Sequence, residues 1–179
     1  MTGRPEAGDA DAHTAEMGDL ETRIAKLEEI EAIRRQFVRL NELFDKPYDA
    51  DGLAGLWTET GFLEACDGQF SGRQEIHAFF SDLAASFTLH YAMNGLIDVD
   101  PSLQHATGRW YGWETPVVAG SPLIGAFTSR QEYEKVEGEW QWAGLWETAH
   151  FLCAVDAGWV REAEPRQERS SRLPEDGPQ

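Results

Sequence analysis

Cysteine is scarce: Cys66 and Cys153 are the only two in 179 residues. Two thiols that far apart form neither a disulfide framework nor a zinc-binding pattern. Basic residues are also few. Fifteen Lys and Arg stand against 32 Asp and Glu, a net charge of −17. Nucleic-acid binding needs clustered cations that this chain does not have, and an anionic membrane surface would repel it. No run of about 18 apolar residues is present to cross a bilayer, and the first residues carry no apolar stretch of the signal-peptide kind. The expectation is a cytoplasmic protein with no nucleic-acid or membrane partner. The HExxH and His-His-carboxylate spacings are missing, so no metal site is expected. GxGxxG and the P-loop are missing, which argues against a bound nucleotide. Without GxSxG there is no nucleophile elbow for a Ser-His-Asp hydrolase.

The residues that are present suffice for one folded domain. The chain is 41% apolar and 11% aromatic, with seven tryptophans. Aromatics in that number line pockets or interfaces as well as cores, because they give large contact area at low entropy cost. Residues 1–19 are rich in Gly, Ala, Asp and Glu and are expected to form a disordered tail, as are residues 161–179. The domain between them spans residues 20–160.

Within it, Leu20 to Phe44 reads as one amphipathic helix. Ile33, Phe37, Leu40, Leu43 and Phe44 form its apolar stripe, and Ile24, Leu27 and Ile30 extend that stripe backwards. Asp45 ends it, where a carboxylate meets the negative end of the helix dipole. After Pro47, a short second helix carries Leu53 and Trp57, with Asp49 or Asp51 as N-cap. GFLEACDGQFSG reads as a short strand, a turn and a second strand piece. Ser71 is the expected cap of a third helix running from Arg73 to Phe87 with Ile76, Phe79, Phe80 and Leu83 inward. From Thr88 the period changes to two, giving four long strands separated by turns. Helices first and strands after predict an α+β domain, with three N-terminal helices packed on one curved, mostly antiparallel sheet.

Alternation fixes which strand residues can share a face. Either Trp110 with Glu114, or Tyr111 with Trp113, looks inward. Trp140, Trp142, Trp146 and His150 share one parity, and Glu147 and Phe151 the other, provided no bulge intervenes. Glu64, between apolar neighbours, is either a carboxylate of raised pKa suited to proton shuttling or an outward-facing strand residue.

IEAIRRQFVRLNELFD, GLAGLWTE, SGRQEIHAFF, TLHYAMNGLIDVD, HATGRWYGWE and EYEKVEGEWQW, in that order and spacing, resemble the nuclear transport factor 2-like superfamily. The resemblance covers roughly Leu20 to Trp159 and is nearest to its SnoaL-like branch of cyclases, dehydratases and isomerases. It implies a cone-shaped α+β barrel around a deep pocket, no cofactor, and a homodimer. It also implies that His90 pairs with Asp45. The carboxylate would orient the imidazole and leave its other nitrogen as a base. The tyrosine that many such enzymes carry five residues before the Asp is Leu40 here, so Tyr48 or a pocket Trp N–H would have to take its part. The expected pocket is lined by Tyr48, Trp57, Asn94, Trp110, Tyr111, Trp146 and His150, with Asp45, His90 and Glu64 as the proton-transfer groups. The implied function is a cofactor-independent lyase or isomerase acting on a small apolar organic substrate of the natural-product kind, such as a polyketide. Two alternatives stand beside it: a non-catalytic binding or dimerisation module, and a ketosteroid isomerase-like shuttle through Glu64. Epoxide opening with Arg109 or Arg130 ranks last.

Overall fold

A computed structural model describes residues 7–45, 49–65, 68–83 and 85–159, with side chains from residue 16 onward. Three helices precede most of the sheet: α1 (Ala7–Asp45), α2 (Ala50–Gly55) and α3 (Arg73–Ser81). The strands are β1 (Trp57–Ala65), β2 (Gly68–Ser71), β3 (Ala85–Phe87), β4 (His90–Val99), β5 (His105–Glu114), β6 (Val117–Val118), β7 (Ser121–Val136) and β8 (Glu139–Ala154). The main order is β2-β1-β8-β7-β5-β4, with β6 joining β3 to β7. All pairs are antiparallel except β1 with β8. The α+β architecture expected from the periodicity is present, with α1 laid against β4 and β8.

Its boundaries differ from the sequence reading in four places. Helix α1 begins at Ala7, so the stretch expected to be a tail is helical from there to Asp19. The backward extension of its stripe packs only as far as Ile30: Ile24 and Leu27 are exposed, while Ile30 lies against the core and Ile33 and Phe37 are buried in it. The helix outruns the sheet, and Glu29 marks the rim, accepting from Lys135 Nζ at 2.6 Å and Trp140 Nε1 at 2.7 Å. Trp57 is not in α2 but opens β1. Helix α3 stops at Ser81, and of the residues expected to continue it Ala85–Phe87 form β3. Its N-cap is Gly72, at φ 83°, and not Ser71, whose backbone N–H instead donates to Glu75 Oε2 at 2.8 Å. Asp49 does cap α2, accepting from Gly52 N at 2.9 Å.

The core is aromatic. Trp142 meets Trp57 at 5.2 Å, Tyr133 at 5.7 Å and Phe37 at 5.9 Å between ring centres. Phe37 also lies 4.6 Å from Trp110. Strand β4 bends to admit that indole: its pairing with β5 shifts between Met93 and Leu96, and a Cβ on Gly95 would stand 2.3 Å from the Trp110 ring. Within this apolar mass runs one polar chain through Gln131, which is fully buried. Its amide donates to Ser129 Oγ at 2.9 Å, and its carbonyl accepts from Trp142 Nε1 at 2.9 Å and from the Tyr133 hydroxyl. Tyr133 OH in turn accepts from Trp110 Nε1 at 3.2 Å. Buried polar atoms that are paired in this way avoid a desolvation cost of about 1–3 kcal/mol each.

Candidate active site

The last turn of α1 is fastened to the start of β4. Phe44 O accepts from Thr88 Oγ1 at 2.8 Å, and Asn41 Nδ2 donates to His90 O at 3.4 Å. Asp45, the final helical residue, uses one oxygen twice. Oδ1 accepts from the His90 backbone N–H at 3.0 Å and lies 2.9 Å from His90 Nδ1. The expected Asp45–His90 contact is therefore present. The other ring nitrogen is also occupied, since Nε2 stands 3.3 Å from Glu114 Oε2. Strand register makes this contact, because His90 and Glu114 are direct cross-strand partners. The Phe44 ring closes one face of the imidazole at 4.3 Å.

Burial, the largest single influence, disfavours the charged ring and pulls the His90 pKa down. The hydrogen bonds to Glu114 and Asp45, with the charges of both, outweigh it, and the pKa ends above the usual histidine value. When protonated, the ring also offsets the placing of Asp45 at the negative end of α1. The two carboxylates meet the imidazole at opposite ends, so the three groups cannot close around one ion. Among the described residues no cluster of His, Cys, Asp and Glu suits a metal.

The ring borders a cavity of about 210 Å³ between α1, α3 and the concave side of the sheet. Its wall includes Phe37, Leu40, Phe44, Trp57, Phe80, Phe127, Leu145 and Leu152, with Asn41, Ser129, Gln131, Glu114 and Glu147 as polar members. Among the described residues, no lysine or arginine lines it. Strand β5 resolves the open alternative in favour of Trp110 with Glu114: burial alternates along it from His105 to Gly112, and Tyr111 is 58% exposed.

The remaining expected pocket residues fare unevenly. Trp57 lines the cavity. Trp110 is core, packed behind the wall on Phe37. Trp146 lies on the outer face, stacked under Arg130 at 3.7 Å and beside Phe62. His150 is exposed, 3.2 Å from Thr128 Oγ1. Asn94 is exposed in the β4 bulge at φ 54°. Glu64 lies between the cavity-lining Leu63 and Ala65 but not with them. It accepts from Gln69 Nε2 at 2.8 Å on the other face. Tyr48 and Cys66 lie outside the described residues. The indole donors of Trp110, Trp140 and Trp142 are spent on Tyr133, Glu29 and Gln131. That of Trp57 is enclosed without a partner. None of these four indoles thus turns its N–H to the cavity in place of the missing tyrosine.

Two bulges explain the misplaced β8 residues. Pairing with β7 skips Ala143 and then His150, and each extra residue moves the rest of the strand to the other face. Trp140 and Trp142 point inward, Leu145 and Glu147 take over after the first bulge, and Leu152 after the second. Asn41, Ser129 and Gln131 are polar wall residues that sequence reasoning did not name, and it placed Glu114 and Glu147 by strand parity alone, without a part in proton transfer. For Glu114 the signal existed: it shares the parity of Trp110 on a strand facing His90.

Residues 25–145 match the model of the SnoaL-like domain. The chain belongs to the SnoaL-like domain family. Its fold is that of the nuclear transport factor 2-like superfamily, and solved structures of that fold superpose on it. Hexachlorocyclohexane dehydrochlorinase LinA-type3 from Novosphingobium barchaimii does so at TM-score 0.67 and 16% identity, covering 78% of this chain and 99% of that one. A candidate scytalone dehydratase from Novosphingobium aromaticivorans gives TM-score 0.67 at 20% identity, covering 81% and 97%. An NTF2-like protein with a cystatin-like fold from Novosphingobium aromaticivorans gives 0.62 at 20% identity, covering 83% and 92%. No curated protein matches the sequence. Among the described residues of this SnoaL-like protein, no helix is long and apolar enough to cross a membrane.

Proposed function

We propose that this SnoaL-like protein is a cofactor-independent lyase or isomerase that moves a proton on a small, apolar, uncharged molecule. The observation that carries this is the Asp45–His90–Glu114 cluster on the wall of a largely apolar cavity. Carboxylates and an imidazole at hydrogen-bond distance are the equipment of general acid–base chemistry, worth about 10²–10⁴-fold in rate. With no lysine or arginine among the described wall residues, and with both His90 nitrogens already facing carboxylates, phosphorylated or carboxylated ligands are disfavoured, because their charge would meet more negative than positive charge there. Two of the proteins sharing the fold are named for eliminations, a dehydrochlorinase and a dehydratase, which supports water or acid loss as the reaction. A natural-product intermediate with a fused-ring body suits the wall. A cytoplasmic homodimer is part of the same proposal.

The test is turnover of hydroxylated cyclic ketones by the wild type and by Asp45→Asn and His90→Gln. Loss of at least about 10²-fold in both variants is expected, and turnover equal to wild type in both would falsify the proposal. The second reading, a binding module without chemistry, is favoured by Leu40 lining the cavity where a tyrosine is expected. It predicts tight binding of such ketones with no product in any variant.

A further inference from the structure

We propose that the Glu114 carboxyl, and not the imidazole, exchanges the proton with the bound molecule, while His90 is a positioning cation held between two carboxylates. This rests on the lyase or isomerase reading of the site. A base needs a lone pair free on the side of the substrate, and both His90 nitrogens face carboxylate oxygens, at 2.9 Å and 3.3 Å. An ionised carboxylate only accepts hydrogen bonds. A neutral Nε2 would set its lone pair against Glu114 Oε2, whereas a protonated one donates to it. The ring is thus a donor at both ends.

The surroundings point the same way. Asp45 approaches from α1, Glu114 from β5, and Glu147 lines the same cavity from β8. On α1 the ring also meets Phe44, and Asn41 donates to the His90 backbone carbonyl, both of them neutral. Imidazolium is then the one cation available to the cavity wall among the described residues. Glu114 has the exposure to meet a ligand, its side chain being 20% accessible against 12% for His90.

A residue without a side chain on the neighbouring strand gives Glu114 its place. Its cross-strand partner on β7 is Gly125, and a Cβ there would stand 2.7 Å from Glu114 Oε1. Only glycine leaves room for the carboxyl to lie across β7 and still reach the imidazole. His90 and Gly125 are thus the two positioning residues for one carboxyl.

The step balances without an oxidant or co-reactant. A C–H bond beside an electron-withdrawing group breaks, its proton passes to Glu114, and its electron pair becomes part of a new double bond. The leaving hydroxyl departs with the C–O pair and takes that proton from Glu114 as water. The carboxylate is restored, and His90 keeps its protons throughout.

Two measurements on the full chain test this. In ¹⁵N-histidine NMR at pH 7, where an ordinary imidazole of pKa about 6.5 is mostly neutral, both His90 nitrogens are expected to carry protons. Glu114→Gln and Gly125→Ala should each return the ring toward neutrality. Deuterium uptake by 2-tetralone in D₂O should fall at least about 10²-fold in Glu114→Gln and recover partly in Glu114→Asp. A wild-type ring with bare Nε2 overturns the proposal, as does Glu114→Gln exchanging as fast as wild type. If wild type exchanges neither 2-tetralone nor other small cyclic ketones while the ring stays doubly protonated, the proton-transfer reading itself fails, and the carrier role with it.

Discussion

His90 links folding to protonation as well as to chemistry. Its folded pKa is raised, so the charged ring adds stability that is fully present below the unfolded value of about 6.5 and is lost as pH climbs through the folded value. Urea midpoints should therefore decline from pH 6 upward, and the decline should flatten in His90→Gln. Substituting His90 also leaves the Asp45 and Glu114 carboxylates without the donor they share, and we expect a loss of about 1–3 kcal/mol at pH 6, read from the same urea curves. Gly125→Ala is the sharper residue-scale case, since one methyl group meets Glu114 Oε1 at 2.7 Å. It should cost activity through a carboxyl pushed off the imidazole, with circular dichroism unchanged. At this scale the sequence was legible in part. Asp45 and His90 could be paired from their place in a known pattern. Glu114 needed the cross-strand register, and Glu64 looked attractive only because its neighbours are apolar, when those neighbours point the other way.

Helix α1 is two structures in one continuous element. From Glu29 onward it is bound: Ile33 and Phe37 are buried, and Glu29 holds Lys135 and Trp140 at the rim. Before that point its apolar side chains stand in water, with Leu20 45% and Leu27 64% exposed. Deleting residues 1–19 should therefore leave the urea midpoint within experimental error. Glu29→Ala leaves two donors unpaired and should cost about 1–3 kcal/mol, visible as a lower midpoint. Periodicity found the helix and its stripe but could not say where the sheet ends beneath it, because an apolar residue at the right spacing reads the same over a core or over solvent. The same limit moved Trp57 from a helix to a strand.

For the whole molecule, the concave side of the sheet decides what the cavity can accept. Its floor is fixed by the Ser129–Gln131–Tyr133 chain and the indoles bonded to it, which gives the cavity a rigid base. The fold class was readable because the helices lie in the first half of the chain and the strands, β1 and β2 apart, follow them, each kind keeping its own period. The identity of the wall was not readable, because it depends on two single-residue bulges that leave no mark in composition.

Those bulges make β8 a strand read in three frames. Ahead of Ala143 the even-numbered residues face inward, between Ala143 and His150 the odd-numbered ones do, and beyond His150 the even ones return. Ala143 and His150 are the extra residues, so removing either would leave the pairing of its neighbours as it is, with Leu145 and Glu147 still on the wall. Straightening the strand at Ala143 with the residue retained would instead slip the pairing by one and bring Trp146 inward in place of Leu145 and Glu147. One residue of slack thus keeps a carboxylate inside the cavity and an indole outside it.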